Sequence, residues 1–222
     1  MTLETQRLRA AEASRGISSG PSYELAWRLL EKHAPAGHLL EYGAGTGNFA
    51  RRLAAGGFTK KITCADILPR PDDLPPGVDW ITADLNNPLP VPDAAFEGIV
   101  STEVIEHLEN PRAVFREFHR VLRPGGWLLL TTPNQESLRS IASLVLGRHF
   151  AAFLGASYPA HITAVLEMDF KRICTETGFG NPAFHYTNTG RIPKMTRFCW
   201  PPGFRGRWFS DNLALETRRL PE

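Results

Sequence analysis

The sequence predicts an α/β fold in which helices cover both faces of a parallel sheet, and three observations support this class. Apolar or β-branched runs of strand length recur along the 222 residues. Helical patterns separate several of these runs, and a glycine-rich turn follows the first of them. Strands that alternate with helices favour a parallel sheet, because each crossover helix packs on a face of that sheet. Folds of this class bind ligands beyond the carboxyl ends of their strands.

The elements follow one another along the chain in a regular order. A helix is predicted over 24–33, where apolar residues recur at helical spacing after a polar loop. Strands are then predicted at 38–42, 61–67, 78–84, 96–101 and 126–132, with helices at 47–55 and 111–122. The segment Arg123-Pro124-Gly125-Gly126 predicts a helix end and a tight turn. We expect 135–178 to be mostly helical, and further strands at 183–187 and 210–219.

Composition bounds the class of protein. The chain is 42% hydrophobic and 22% charged, with a formal net charge of only +2, so the overall charge gives no reason to expect a nucleic-acid partner. The first 13 residues are polar and nowhere do 18 apolar residues run together. The cysteines, Cys64, Cys174 and Cys199, lie far apart and lack a C-x-x-C spacing, which favours reduced thiols and a cytoplasmic protein. We expect one domain over 1–222, including a helical N-terminal extension over 1–36.

The most informative motif is the turn after the first predicted strand, Glu41-x-Gly43-x-Gly45-x-Gly47. Glycines at alternate positions let the backbone take positive φ angles and approach a ligand near the start of the next helix. The dinucleotide-binding pattern G-x-G-x-x-G has a different spacing. An acidic residue before the turn would repel a pyrophosphate, whereas it suits a cationic ligand.

Two more acidic residues follow the next predicted strands, Asp66 after 62–65 and Asp84 after 81–83. Either residue alone is typical of a turn or helix cap. Taken with the glycine turn, however, their order and spacing over roughly 38–135 resemble the class I S-adenosylmethionine (SAM) methyltransferases. The resemblance implies a Rossmann-like three-layer α/β/α sandwich, whose mostly parallel seven-stranded sheet has an antiparallel last strand.

The resemblance also assigns roles to the residues that match the family motifs. It implies that the turn holds the methionine part of SAM, that Asp66 binds the ribose, that Asp84 and Leu85 bind the adenine, and that Thr102 lies under the cofactor. The cofactor-binding set it implies is Glu41, Gly43, Ala44, Gly45, Gly47, Asp66, Ile67, Asp84, Leu85 and Thr102.

A second motif, Glu103-Val-Ile-Glu106-His107, follows the fourth predicted strand. On a helical turn the three polar side chains would share one face. The segment resembles the E-V-I-E-H motif of the ubiquinone-biosynthesis O-methyltransferases. It is also similar to the E-x-x-E-H of small-RNA 2′-O-methyltransferases, which bind a metal with a further histidine. This resemblance implies a Mg²⁺ or Mn²⁺ site formed by Glu103, Glu106, His107 and His161. Alternatively, the glutamates favour a helix start and His107 is a packed or solvated histidine.

These motifs together favour O-methylation of a hydroxyl group. A metal ion, or neutral His107 or His161 as the catalytic base, would activate that hydroxyl. We expect 135–178 to line the pocket of a small-molecule, quinone-precursor, glycolipid or sugar acceptor. Two alternatives are a metal-dependent RNA 2′-O-methyltransferase and a non-catalytic SAM-binding protein. Nothing in the sequence fixes the oligomeric state.

The segment 190–209 is basic and aromatic and contains no acidic residue. Aromatic rings and guanidinium groups serve binding to a polyanion, a lipid surface or a sugar equally well. Peripheral membrane contact is one expectation for this segment. The alternative is a loop whose aromatic side chains pack on the domain while its arginines face water.

Overall fold

A computed structural model describes residues 3–13, 16–33, 37–157 and 160–221. Parts of the expected extension 1–36, and Tyr158 and Pro159 before His161, lie outside the described residues. The helices are α1 (Leu3–Ala13), α2 (Gly20–Leu30), α3 (Asn48–Ala55), α4 (Pro111–Val121), α5 (Leu138–Gly147) and α6 (Glu167–Glu176). The strands are β1 (His38–Tyr42), β2 (Lys61–Asp66), β3 (Val78–Thr82), β4 (Phe96–Thr102), β5 (Leu122–Pro133), β6 (Ala183–Tyr186), β7 (Arg191–Ile192), β8 (Met195–Cys199) and β9 (Asn212–Arg218).

Seven strands form the main sheet in the order β3-β2-β1-β4-β5-β9-β6. Strand β9 pairs antiparallel with β5 and β6, whereas β1 to β5 pair parallel with their neighbours. The predicted Rossmann-like fold with an antiparallel last strand is therefore confirmed. The strand order reverses between β1 and β4, and a crevice at such a reversal is where folds of this class bind ligands.

Two hydrophobic cores lie on opposite faces of the sheet, because neighbouring side chains of a strand point to opposite sides. Leu39 of β1 belongs to the core that includes residues of α2 and α3, and Leu40 to the core that includes residues of α4 and α6. In β5, Leu129 joins the first core, while Leu128 and Leu130 join the second. The sheet is thus the middle layer of three.

The structure differs from the expected elements mainly after β5. Among the described residues of 135–178, only α5 and α6 are α-helical, and one 3₁₀ turn, Gly155–Ser157, interrupts the irregular chain between them. The segment 190–209 contains a hairpin, because β7 and β8 pair antiparallel. None of the helices in the described part of the chain is long and apolar enough to cross a membrane.

Candidate functional site

A cavity of about 960 Å³ opens at the carboxyl ends of the central strands. It is lined by both sequence motifs and by segments that the motifs did not indicate. The predicted site residues on its wall are Gly43, Gly45, Asp66, Ile67, Asp84, Leu85, Thr102, Glu103, Glu106, His107 and His161. The sequence patterns therefore converge on one cavity, as the topology requires.

The glycine turn packs so closely that side chains are excluded at two of its positions. Gly43 has φ of +84°, and a Cβ there would lie 2.2 Å from Cγ2 of Val104. Gly45 has φ of +54°, and a Cβ there would lie 2.1 Å from the carbonyl oxygen of Gly16. Positive φ and close approach both favour glycine. The turn thus forms a bare backbone wall beside the cavity.

Glu41 lies beneath this turn and does not line the cavity, nor do Ala44 and Gly47. Its side chain is only 1% exposed, and the Cys64 thiol donates a hydrogen bond of 3.5 Å to its carboxyl group. Burial raises the pKa of Glu41 to about 8, and the nearby Asp66 adds to this effect. The expected contact between Glu41 and a cationic part of the cofactor stays a prediction.

Asp66 lies at the end of β2 with its carboxylate bound to backbone groups. Oδ2 accepts from the amide of Gly45 at 2.7 Å, and Oδ1 accepts from the amide of Leu68 at 2.8 Å. Burial raises the pKa of Asp66, and these backbone amides oppose that rise. The carboxylate therefore joins the end of β2 to the glycine turn while it remains on the cavity wall.

Asp84 follows β3 and is the centre of a polar cluster. Its Oδ1 accepts from both the backbone amide and the side-chain amide of Asn86 at 3.0 Å, and Oδ2 pairs with Arg7 of α1. Burial acts to raise the pKa of Asp84, but the bonds from Asn86 and Arg7 outweigh it, so the pKa is lowered. Asp84 is thus held as a carboxylate at the predicted adenine end of the cavity.

The N-terminal segment covers the opposite side of the same cavity. Gly16 accepts a hydrogen bond from the amide of Thr46 at 3.1 Å, and the Ser18 hydroxyl donates to the carbonyl oxygen of Thr102 at 2.8 Å. The sequence indicated no role for α1 or for 16–19 at the site. Charge and hydropathy patterns in this segment carry no signal for such a role, because its partners lie far away in the sequence.

Glu103 has a structural role that the motif did not predict. Its φ is +53°, which turns the chain at the end of β4, so it does not share a helical face with the residues that follow. The only helical turn in the motif is the 3₁₀ turn Ile105–His107. The Glu103 carboxylate accepts from the amide of Ser19 at 2.6 Å and from the hydroxyl of Ser22 at 2.9 Å. It therefore stabilises the N-terminus of α2, where a negative charge is favoured.

The other three residues of the expected ligand set lie together. One ligand atom from each of Glu106, His107 and His161 lies within 4.8 Å of the others. Glu106 is 1% exposed; its Oε2 accepts from the Thr132 hydroxyl at 3.1 Å, while Oε1 has no hydrogen-bond partner among the described residues. Burial raises the pKa of Glu106 to about 8. A buried oxygen without a partner is unusual and indicates a group that awaits a ligand or a proton.

The two histidines are held as neutral rings of defined tautomer. Nδ1 of His107 donates to the carbonyl oxygen of Ala160 at 2.9 Å, and Nδ1 of His161 donates to that of Ala152 at 2.8 Å. The ring centroids are 4.7 Å apart. Burial lowers the pKa of His107 to about 4, with help from His161, and burial also lowers the pKa of His161. Each Nε2 then carries the lone pair, as in a metal ligand or general base.

The segment 190–209 contains both packed and exposed groups. Trp200, Phe204 and Phe209 form an aromatic cluster with ring centroids 5.0 to 5.5 Å apart. The side chains of Phe198 and Trp208 are 59% and 49% exposed. The simple loop alternative therefore describes only part of the segment, and its contact with a membrane stays a prediction.

Comparison with known proteins identifies the family. A methyltransferase-domain family model matches residues 22–181. This chain belongs to the SAM-dependent methyltransferases. The N-methyltransferase NodS of Bradyrhizobium japonicum, whose solved structure contains S-adenosyl-L-homocysteine (SAH), has the same fold with a TM-score of 0.56 at 20% identity, over 90% of this chain and 86% of NodS.

Sequence relatives include two kinds of O-methyltransferase. The malonyl-[acyl-carrier protein] O-methyltransferase of Laribacter hongkongensis is 30% identical over 78% of this chain, which spans 60% of that relative. The ubiquinone biosynthesis O-methyltransferase of Leptothrix cholodnii is more distant, at 22% identity over 48% of this chain and 44% of the relative. The resemblance to the broad class is thus confirmed, while the similarity to the ubiquinone group is remote.

Membership of this family implies SAM as the cofactor, and the cavity wall carries groups that suit SAM. Gly43 and Gly45 line the cavity, and so do Asp66 and Asp84, which lie at or just after the ends of β2 and β3. Carboxylates accept the hydrogen bonds that ribose hydroxyls and an adenine amino group donate. The individual contacts that these residues make with SAM stay predictions.

Proposed function

We propose that this methyltransferase transfers the methyl group of SAM to an oxygen atom of a small-molecule acceptor. The observation that carries the proposal is the group formed by Glu106, His107 and His161 on the wall of the cofactor cavity. Two neutral imidazoles with accessible lone pairs are suited to remove a proton from a hydroxyl group. The malonyl-[acyl-carrier protein] O-methyltransferase relatives support an oxygen acceptor.

The reaction is an in-line displacement at the methyl carbon. The acceptor oxygen forms a bond to the methyl carbon as the carbon–sulfur bond breaks, and the electron pair of that bond passes to sulfur, which leaves SAH. Alignment of oxygen, carbon and sulfur in the cavity lowers the barrier to this step. The proton of the hydroxyl group passes to Nε2 of His161 or His107, because Nδ1 of each ring already carries a proton.

A divalent metal ion also fits this group of residues. The unpartnered Oε1 of Glu106 and the two Nε2 atoms provide one carboxylate and two imidazole ligands, a set that transition metals accept. The carbonyls of Ala160 and Ala152 orient the rings, as second-shell acceptors do at metal sites. A bound Mn²⁺ would lower the pKa of the acceptor hydroxyl. The Glu103 carboxylate already accepts hydrogen bonds from Ser19 and Ser22 at the N-terminus of α2, so Glu103 is the least suited of the four expected ligands.

The test measures SAH formation by the purified protein with a panel of hydroxyl acceptors, in EDTA and with added Mn²⁺ or Mg²⁺. In His161→Ala and His107→Ala we expect turnover to fall at least 100-fold while the Kd for SAH changes less than threefold. His149→Ala is the matched control, because His149 lies on the irregular segment after α5 and does not line the cavity. Loss of activity in EDTA and recovery with Mn²⁺ would establish the metal-dependent form.

Several outcomes would reject parts of the proposal. Full activity in both histidine variants would exclude proton transfer at this group. Methylation only of RNA, with a steep decrease in activity as salt rises, would favour the RNA 2′-O-methyltransferase alternative. Tight SAH binding without turnover on any acceptor would favour a non-catalytic SAM-binding protein.

A further inference from the structure

One guanidinium group on the cavity wall has no hydrogen-bond partner among the described residues. Arg139, in the first turn of α5, lines the cavity, and its side chain is 18% exposed. No hydrogen bond from Arg139 occurs within the described residues; its nearest charged partner is Oδ2 of Asp211, at 3.7 Å. Arginine presents five N–H donors and remains charged at physiological pH. A partly buried guanidinium with free donors is suited to an anion.

The carboxylate of Asp211 is already engaged by a second arginine. Nε of Arg191 donates to Oδ2 of Asp211 at 2.5 Å, and the backbone amide of Arg191 donates to Oδ1 at 3.2 Å. Both arginines and Asp211 line the cavity. Two guanidinium charges therefore share one carboxylate, and the cluster carries one uncompensated positive charge. Burial lowers the pKa of Arg139, and the charge of Arg191 adds to this effect, while the charge of Asp211 opposes it.

The position of this cluster separates it from the expected cofactor contacts. Asp211 and Asn212 lie at the start of β9, beside the end of β5, because Pro133 and Asn212 are paired in the sheet. The glycine turn and Asp66 follow β1 and β2, which are on the other side of β4. In the sequence, α5 follows β5 and begins the region expected to bind the acceptor. A group bound by Arg139 therefore belongs to the acceptor side.

We propose that Arg139, assisted by Arg191, binds a carboxylate or phosphate group of the methyl acceptor, so that the substrate is a hydroxyl-bearing acid. This inference rests on the proposed function, because it names the substrate class of that same cavity. Arg139 positions the acceptor through its anionic group, while the histidines act on its hydroxyl group. Two further arginines line the cavity: Arg7 is paired with Asp84 and Glu109, and Arg9 is exposed on α1.

The experiment measures anion binding to the SAH-saturated protein, so it does not require turnover. Malonate and inorganic phosphate are titrated by calorimetry at constant ionic strength, with neutral malonamide as the uncharged probe. We expect saturable binding of one or both anions, no binding of malonamide, and at least tenfold weaker binding in Arg139→Gln. Arg139→Lys keeps the positive charge but loses the planar pair of N–H donors that can bind an anion through two hydrogen bonds. It should therefore weaken anion binding less than Arg139→Gln does. Whichever anion binds more tightly then identifies the anionic group of the acceptor as a carboxylate or a phosphate.

Arg148→Gln is the matched control, because Arg148 follows the same helix and is exposed outside the cavity. It should bind the anions as the wild-type protein does. Equal weakening in Arg148→Gln, equal binding in Arg139→Gln, or no saturable binding of either anion would overturn the proposal. A Kd for SAH that rises in Arg139→Gln, with anion binding unchanged, would place the cofactor carboxylate there instead. The anions can also be titrated without SAH, so anion binding and SAH binding are measured independently. Failure of SAH to bind the wild-type protein would therefore reject the proposed function without deciding whether Arg139 binds an anion.

Discussion

Arg7 of the N-terminal helix pairs with Asp84, the carboxylate expected to hold the adenine amino group. The same guanidinium pairs with Glu109 at 2.7 Å, so α1 is joined to two loops at the carboxyl edge of the sheet. Together with the bonds from Gly16 and Ser18, this pair closes the N-terminal segment over the cavity. A covering segment of this kind excludes water from a bound cofactor and retains it.

Arg7→Gln should therefore release the cofactor faster. The substitution removes the charge that pairs with Asp84 and Glu109, and α1 loses its attachment to the cavity edge. We expect the dissociation rate of SAH, measured by stopped-flow fluorescence, to rise about threefold to tenfold. Arg116→Gln, an exposed substitution on α4 outside the cavity wall, serves as the control. Unchanged SAH dissociation in Arg7→Gln would show that α1 does not retain the cofactor.

Gly43→Ala should destabilise the protein and weaken SAH binding together. The new Cβ would meet Val104 at 2.2 Å, and the backbone would remain at φ of +84°. Backbone strain alone costs about 1–2 kcal/mol, and the clash adds to it. We expect a loss of roughly 2–5 kcal/mol in the free energy of unfolding, measured by urea denaturation, because overpacking costs a further 1–3 kcal/mol.

Gly57→Ala provides the control for the Gly43 prediction. Gly57 also has positive φ, of +60°, but a Cβ there would have no heavy atom within 4 Å. In Gly57→Ala the free energy of unfolding should fall only by the cost of the strained backbone, and SAH should bind normally. Val104→Ala in the Gly43→Ala background should recover part of the stability, because it removes the atoms that clash. Equal losses in Gly43→Ala and Gly57→Ala would contradict the close packing at the turn.

The fold could be predicted from the sequence because its signals are local. The apolar runs and the glycine turn are properties of neighbouring residues, and β1, β2 and α4 lie within about two residues of the expected ranges. The contacts of Arg7 and Arg139 could not be predicted in the same way. Arg7 reaches a partner 77 residues away, and Asp211 lies 72 residues beyond Arg139. Such pairs depend on the tertiary arrangement.

Within the short motif from Glu103 to His107, too, the side-chain contacts could not be predicted from the local sequence. A helical spacing predicts one ligand face for all three polar side chains. The positive φ of Glu103 instead sends its carboxylate to α2, and the neighbouring pair joins His161, which is 54 residues beyond His107. All three polar residues of the motif line the cavity. The separation of Glu103 from the others required the backbone geometry.

The raised pKa of Glu41 predicts a pH dependence of stability. Burial raises this pKa from 4.5 to about 8, so between these pH values the folded protein holds a proton that the unfolded chain has released. Stability from this group is therefore fully present below about pH 4.5 and is lost as the pH rises toward 8. Glu41→Gln removes the titration and keeps an oxygen acceptor for the Cys64 thiol.

The measurement for Glu41 is the free energy of unfolding at pH 6.0, 7.0 and 7.5. We expect the stability of the wild-type protein to fall relative to that of Glu41→Gln by up to about 1.4 kcal/mol for each pH unit. Cys64→Ala should not imitate this effect, since it leaves the carboxyl group buried. Parallel pH curves for the wild-type protein and Glu41→Gln would show that Glu41 keeps an ordinary pKa.

Binding to anionic membranes is the prediction that concerns α5 and the segment 190–209. The chain contains no acidic residue from 137 to 166 or from 177 to 210. Exposed cations on these segments, without ion pairs in the described part of the chain, are Arg148, Lys194, Arg197 and Arg205. Val145 and Leu146 are 72% and 65% exposed, and α5 contacts β7. Exposed apolar side chains beside unpaired cations are typical of a surface that contacts anionic lipids.

Co-sedimentation with vesicles tests this membrane contact. We expect binding to vesicles that contain phosphatidylglycerol, and weak binding to phosphatidylcholine alone. A Lys194→Gln, Arg197→Gln double variant should lose most of the preference for anionic lipid, because each cation near such a surface contributes about 1 kcal/mol. Val145→Gln should weaken binding to both kinds of vesicle, whereas Met168→Gln, at an exposed apolar residue of α6, should change neither. Equal binding of the wild-type protein to both kinds of vesicle would reject the electrostatic contribution. If the wild-type protein does not sediment with either kind of vesicle, the membrane contact itself is rejected.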